Sequence, residues 1–296
     1  MIELGELGLG TAPIGGLYEP VPDETAHAVV ERAWSLGLRY FDTAPLYGAG
    51  LAERRLGTVL RDKPRHEYAI STKVGRLLRP GKSVWHGAPA LVDYFDFSHD
   101  AVLRSLEESL ERLGLDRVDI AFVHDPEDHL DEALAGSFRA LQRLRDEGVV
   151  QAIGVGANYA EVHCRFAREA DPDCFLVAGR YTALDRSAVD ELLPLCLERG
   201  IAVIAGGVFN SGVLAGGETF NYEPAPPEVV GRVEQLRETC ARHGVPLPAA
   251  AVQFPLRHPA VATALVGCRT PDEVAEDVRL ASLELPDALW DELESP

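Results

Sequence analysis

An aspartate, a tyrosine, a lysine and a histidine stand at or just past the ends of short apolar runs. They are Asp42 in Arg39-Tyr40-Phe41-Asp42, Tyr47 in the segment that follows, Lys73 closing Tyr68-Ala69-Ile70-Ser71-Thr72-Lys73, and His124 closing Ile120-Ala121-Phe122-Val123-His124. Lysine is scarce: only Lys63, Lys73 and Lys82 among the 28 basic residues. An ammonium at the end of an apolar strand is costly to desolvate unless a carboxylate pairs with it, and Asp42 is the natural partner. That pair could be a structural ion bridge. Tyrosine titrates near pH 10 and is a poor acid or base at neutral pH, but an adjacent Lys73 ammonium is expected to stabilise the phenolate and lower the pKa of Tyr47. His124 can hydrogen-bond a substrate oxygen and fix its direction. Together the four make a proton-relay site that needs no metal. Taken singly, His124 reads as a core histidine and Tyr47 as a loop aromatic. Another chemistry stays open, because His124, Asp125, Glu127, Asp128 and His129 crowd one strand end as the ligands of a metal-dependent hydrolase would. The first strand, however, ends in Gly10-Thr11-Ala12-Pro13 and offers no His-x-His pair.

What must position these groups is a repeating pattern of short apolar runs and longer amphipathic segments. Strands are expected at about 7–11, 38–42, 69–73, 118–123, 149–154, 174–178, 201–205 and 262–266. Helices are expected near 23–37, 51–61, 98–113, 130–147, 160–170, 187–199, 227–243, 248–257 and 271–281, with a short acidic one over 286–296. The clearest carries N-cap chemistry at Ser98 and Asp100. Its apolar face is Val102, Leu103, Leu106, Leu110 and Leu113, ahead of Gly114. Such alternation predicts an α/β fold with parallel strands, either an open doubly wound sheet or a closed (β/α)8 TIM barrel. Gly8-Leu9-Gly10-Thr11-Ala12-Pro13 is not the G-x-G-x-x-G entry of a dinucleotide-binding open sheet, so the barrel is favoured, as a single domain over 1–296. The two longest irregular segments, 75–97 and 206–226, both follow strands, where a barrel carries its chemistry.

The 296 residues hold 28 basic and 47 acidic side chains, a formal charge of −19, with 46% hydrophobic residues. A surface so acidic repels phosphate backbones and anionic lipid, so neither nucleic acid nor membrane is an expected partner. No apolar stretch is long enough to span a bilayer, and no basic leader opens the chain. Cys164, Cys174, Cys196, Cys240 and Cys268 are scattered without a C-x-x-C pair, which points to a reducing, cytoplasmic setting.

The sequence resembles the aldo-keto reductase superfamily from Leu7 to about Val278. The likeness rests on Gly8-Leu9-Gly10-Thr11, Tyr40-Phe41-Asp42-Thr43-Ala44-x-x-Tyr47-Gly48, Ser71-Thr72-Lys73 and Gly154-Val155-Gly156-Ala157-Asn158, in family order and spacing. Within it, Gly10-Thr11-Ala12-Pro13-Ile14-Gly15, Val123-His124-Asp125-Pro126-Glu127 and Ala178-Gly179-Arg180-Tyr181-Thr182 resemble the aldose 1-dehydrogenase branch, of the D-threo-aldose and L-fucose type. The resemblance implies a catalytic tetrad of Asp42, Tyr47, Lys73 and His124, with Tyr47 as general acid/base. It implies NAD or NADP extended across the barrel mouth and no Rossmann domain. The implied cofactor contacts are Gly10, Thr11, Ala12 and Asn158, with Thr11 and Asn158 on the nicotinamide side. Gly206, Gly207, Val208, Phe209, Ser211, Gly212 and Leu214 fall in the loop that covers the pyrophosphate. Gly267, Cys268, Arg269, Thr270, Glu273, Glu276 and Asp277 fall at the adenosine end.

Several positions depart from the family pattern. The usual Ser-Asn pair reads Ala157-Asn158, a usual glutamine reads Ala178, and the aromatic that stacks on the nicotinamide reads Gly206, leaving Phe209 or Tyr181 to supply a ring. Glu273 replaces a phosphate-binding arginine, and with Glu276 and Asp277 it favours NAD over NADP, while Arg269 keeps a cationic option open. Tyr18, Trp85, Tyr94, Phe95 and Tyr181 are candidates to stack on a sugar. The expected reaction is oxidation of an aldose's anomeric hydroxyl to a lactone, by a monomer or weak homodimer. Alternatives are a carbonyl reductase or pyridoxal-type dehydrogenase on the same scaffold, the metal-dependent hydrolase, and a nucleotide-sensing binding module.

Overall fold

The computed structural model describes residues 4–294. Eight parallel strands close into a barrel: β1 (Leu7–Gly10), β2 (Tyr40–Asp42), β3 (Ala69–Val74), β4 (Ile120–His124), β5 (Ala152–Ala157), β6 (Cys174–Ala178), β7 (Ala202–Gly206) and β8 (Val261–Gly267). β1 pairs with β8 on one side and β2 on the other, so the sheet has no edge and the open doubly wound alternative is removed. Among the described residues no helix is long and apolar enough to cross a membrane. The acidic helix expected over 286–296 is found at Asp287–Glu294, and its last two positions lie outside the described residues.

Side-chain alternation along each strand sorts the core into two sets. Tyr40, Phe122, Leu176, Ile204 and Leu265 fill the barrel, whereas Phe41, Ile70, Val123, Val155, Val177 and Val266 face the helices. With a period of two, the residues two places beyond the inward Tyr40 and Phe122 are Asp42 and His124, and Lys73 follows Ser71 in the same way. The register aligns these ends, with Gly10 opposite Asp42, Asp42 opposite Ser71, and His124 opposite Gly156. The pleat therefore delivers the polar groups to one layer at the mouth.

β5 runs from Ala152 rather than from 149, three residues later than the apolar run suggests. Val149 is instead tied back to the preceding helix through its N–H to Leu144. The pairing is taken up by Gly154-Val155-Gly156-Ala157, where bare backbone is needed at Gly154: a Cβ there would strike the Cys174 carbonyl at 1.7 Å. The helix expected over 130–147 is broken by a π-turn at Ala133–Phe138. The helix after β3 runs His99–Leu113, capped by Ser98, whose hydroxyl accepts from the Ala101 N–H; Leu103 on its expected apolar face is 40% exposed. The two irregular segments hold antiparallel hairpins, Arg76–Pro80 with Leu91–Phe95 and Thr219–Phe220 with Glu223–Pro224. Both follow barrel strands at their carboxyl ends.

Candidate active site

Lys73 and Asp42 form a buried ion pair beneath the mouth, Nζ to Oδ2 2.7 Å, with side chains 1% and 4% exposed. Neither is left short of partners. Lys73 also donates to the Thr43 carbonyl at 2.9 Å, and Asp42 Oδ1 accepts from the Ser71 hydroxyl at 2.7 Å, which in turn lies 2.9 Å from the Tyr40 hydroxyl. Tyr47 lies above the pair. Its ring centroid is 4.6 Å from Lys73 Nζ, 5.9 Å from the His124 ring and 6.0 Å from the Trp85 ring. The segment holding it needs close backbone packing: Gly48 has φ +63°, and a Cβ there would meet the Gly15 carbonyl at 2.4 Å.

The electrostatics overturn one expectation. The Lys73 ammonium faces the ring of Tyr47, and burial, then the Asp42 and Asp125 charges, push the phenol well above its ordinary value, against a smaller opposing pull from Arg76. Tyr47 is therefore held protonated, a ready acid and a reluctant base. Burial, then the Lys73 and Arg76 cations, push His124 well below the ordinary histidine value, so it is a neutral imidazole suited to orienting an oxygen.

Tyr47, Lys73 and His124 open on a cavity of about 320 Å³ that is also lined by Ala12, Arg76, Trp85, Asp125, Gly156, Ala157, Asn158, Ala178 and Tyr222. Arg76, Asp125 and Tyr222 were not expected there. Arg76 and Tyr222 arrive on the two hairpins, and Asn221 and Tyr222 take left-handed backbones, φ +48° and +69°. A Tyr at the tip of a loop after a strand was the one available signal. The small side chains of Ala12, Gly156, Ala157 and Ala178 leave much of the lining to backbone, which suits a flat heteroaromatic ring. His124 Nδ1 is buried without a protein partner. These features fit a nicotinamide.

Several expected residues lie elsewhere. Tyr181 packs against Phe254 and His258, at 5.3 and 5.7 Å between ring centroids, inside the outer core. Phe209 also packs on that core, so neither supplies a ring to the cavity. Tyr94 accepts from Arg104 and lies under Arg79, and Phe95 stacks on Phe97 behind Arg76; both are outside the lining. Tyr18 is 38% exposed and lies outside the cavity lining. Of the substrate candidates, Trp85 alone lines the cavity. The Thr11 hydroxyl donates to the Asp42 carbonyl at 2.9 Å, tying β1 to β2. Val208 and Leu214 bury their side chains, leaving only backbone to face a cofactor, while Gly207 and Gly212 turn the loop with φ +62° and +103°. Among the described residues no group of three His, Cys, Asp or Glu is placed to hold a metal ion, and His129 packs on Phe95 and Phe97.

At the adenosine end, Thr270 caps the helix Pro271–Ala281 by accepting from the Glu273 N–H. Arg269 is clamped by two carboxylates, Glu19 at 2.9 Å and Glu273 at 3.2 Å. Glu276 is occupied by Arg279 at 2.7 Å. Asp277 is buried, among the described residues with only the Cys268 thiol donating to it, at 3.3 Å, and desolvation, its largest influence, pushes its pKa up to about 7. Because the folded value exceeds the unfolded one, stability is lost as pH rises through the window from about 4 to about 7. Asp277→Asn should therefore gain on the wild type as pH rises, by up to about 4 kcal/mol above that window. Denaturation midpoints at pH 5 and pH 8 test this; a difference that does not change with pH would remove the argument.

With the geometry in hand, comparison with known proteins is informative. The chain is 45% identical to a D-threo-aldose 1-dehydrogenase of Pseudomonas sp., over 97% of this chain and 92% of that protein. It is 43% identical to the pyridoxal 4-dehydrogenase of Microbacterium luteolum, over 98% and 93%. Among solved structures, an aldo-keto reductase of Bacillus halodurans in its holo form superposes with a TM-score of 0.80 at 25% identity, covering 98% of this chain and 91% of that one. The Aldo/keto reductase family model matches residues 6–295, so this chain is a nicotinamide-dependent oxidoreductase of the aldo/keto reductase family.

Proposed function

We propose that the enzyme oxidises the anomeric hydroxyl of an aldose to the lactone, with NAD as the preferred cofactor. The observation that carries this reading is the convergence of Tyr47 and His124 on one cavity above the Lys73–Asp42 pair. The 45% identical aldose 1-dehydrogenase supports the sugar. When bound, the cofactor accepts the hydride leaving C1. The chain does the rest: neutral His124 holds the C1 oxygen, the Tyr47 phenolate takes its proton, Lys73 and Asp42 form the buried pair beneath Tyr47, and Asn158 would hold the carboxamide. A second reading, a pyridoxal-like ring as substrate, is favoured by the aromatic walls Trp85 and Tyr222 and by the 43% identical relative. Assays of NAD reduction across L-fucose, D-arabinose, L-galactose and pyridoxal decide between them. Turnover of pyridoxal with none of the sugars would reverse the order.

The raised Tyr47 pKa sets a pH signature. Oxidation needs the phenolate, so with chemistry rate-limiting its kcat/KM should climb about tenfold per pH unit through pH 9 without levelling. Reduction uses the neutral phenol and should be flat over the same range. An oxidation profile that levels near pH 7 would mean that Tyr47 is not the titrating base.

For the cofactor, the Glu19 and Glu273 carboxylates already occupy Arg269, and a 2′-phosphate would have to displace them. Their oxygens can accept from a ribose 2′-hydroxyl instead. Glu273→Arg removes one carboxylate and adds a cation, so the NADP to NAD ratio of kcat/KM should rise about tenfold or more. A wild type that prefers NADP would refute the cofactor assignment.

A further inference from the structure

The residue after His124 is built into the cavity wall in an unusual way. Asp125 has φ +44°, a left-handed backbone that few side chains other than Asn and Asp adopt. Its N–H donates to the Gly156 carbonyl at 3.0 Å. Asp125 lines the cavity, and its side chain is 19% exposed. Oδ2 lies 3.5 Å from His124 Nε2 and accepts from Arg76 Nη1 at 2.6 Å, while among the described residues Oδ1 has only the Asn158 amide, at 3.5 Å. Arg76 is itself fixed from behind. Asp93, on the facing hairpin strand, accepts from its Nε and Nη2 at 3.0 and 2.7 Å, and the Phe95 ring lies 5.0 Å from its guanidinium.

This corner holds two carboxylates against one guanidinium. Arg76 is satisfied by Asp93, so Asp125 is not required to neutralise it. Arg76 instead pins Asp125 in one orientation, and Oδ1 keeps acceptor capacity on the cavity side. An acceptor this close to His124 is within reach of a hydroxyl one carbon away from an oxygen that His124 holds. We infer that Asp125 reads a hydroxyl on the carbon next to the reacting carbon, so that the site selects α-hydroxy aldehydes and the matching hemiacetals over compounds lacking that group. The inference rests on the placement of the reacting oxygen at Tyr47 and His124. It does not require the substrate to be a sugar.

The test compares pairs that differ by that one hydroxyl: lactaldehyde against propionaldehyde in reduction, and an aldose against its 2-deoxy counterpart in oxidation. A site built to bind a hydroxyl rejects the analogue that lacks it, and in this partly open corner the wild-type kcat/KM ratio should be about 10². Asp125→Gly keeps the left-handed backbone without strain and leaves Arg76 its Asp93 partner, so the fold should survive. In that variant the ratio should fall to within about threefold in both pairs. Asp125→Asn, which keeps an acceptor oxygen and the backbone shape, should fall between. The Asp125 charge also acts on Tyr47, but both members of a pair use the same proton relay, and that influence cancels in the ratio. A wild type without preference for the hydroxylated member, or a preference that survives in Asp125→Gly, overturns the assignment. If no sugar is oxidised but the lactaldehyde ratio behaves as stated, the aldose reading fails and the role of Asp125 stands. If sugars are oxidised and the 2-deoxy sugar serves equally well, the reverse holds.

Discussion

Tyr47→Phe is expected to lower kcat by about 10²- to 10⁴-fold in both directions, a loss of about 3–5 kcal/mol in transition-state stabilisation. The folded protein should scarcely notice. Among the described residues no protein group hydrogen-bonds the Tyr47 hydroxyl, and the ring contacts with Lys73, His124 and Trp85 belong to the ring that phenylalanine keeps. Thermal stability and NAD affinity, read by fluorescence titration, should therefore stay close to wild type. That combination separates lost proton transfer from lost packing. A variant with near wild-type turnover would show that another group lining the cavity, such as His124, Asp125 or Tyr222, moves the proton.

The parts of this site that rest on strand periodicity were legible in the residues alone. Asp42, Lys73 and His124 end strands whose inward and outward alternation follows from composition, and a closed barrel converts that alternation into a single layer. Contacts governed by turn geometry were not. Asp125 and Tyr222 line the mouth on left-handed backbones, and for Tyr222 nothing in the residue type announces that state. Tyr181, Tyr94 and Phe95 looked like cavity aromatics because they lie in loops after strands, yet each found an apolar or cationic neighbour elsewhere. The shift of β5 has a similar origin. Val149 and Val150 carry the stronger strand propensity, but the close approach to the Cys174 carbonyl is possible only at Gly154. The upward direction of the Tyr47 shift has a spatial cause as well: Lys73 is adjacent but faces the ring, and burial dominates over the opposing Arg76 cation.

The same geometry changes what a lysine substitution would report. Lys73→Met leaves the Asp42 carboxylate buried at the base of the mouth with the Ser71 hydroxyl donating to it and the facing cation gone. Removing one partner of a buried pair typically costs about 3–5 kcal/mol, because the charge left behind is neither hydrated nor compensated. Lys73→Met should therefore be destabilised by roughly that amount in urea denaturation, and its activity loss alone would not define a catalytic role. The informative protein is Lys73→Met combined with Asp42→Asn, which removes both charges while keeping their volumes. It should recover most of the lost stability, giving a coupling energy of about 2–3 kcal/mol in the double-mutant cycle. Kinetics of the double variant compared with those of Asp42→Asn alone would then isolate the contribution of Lys73 to Tyr47. A single variant as stable as the wild type, or a double variant no more stable than the single, would show that the pair is not the structural keystone its burial implies.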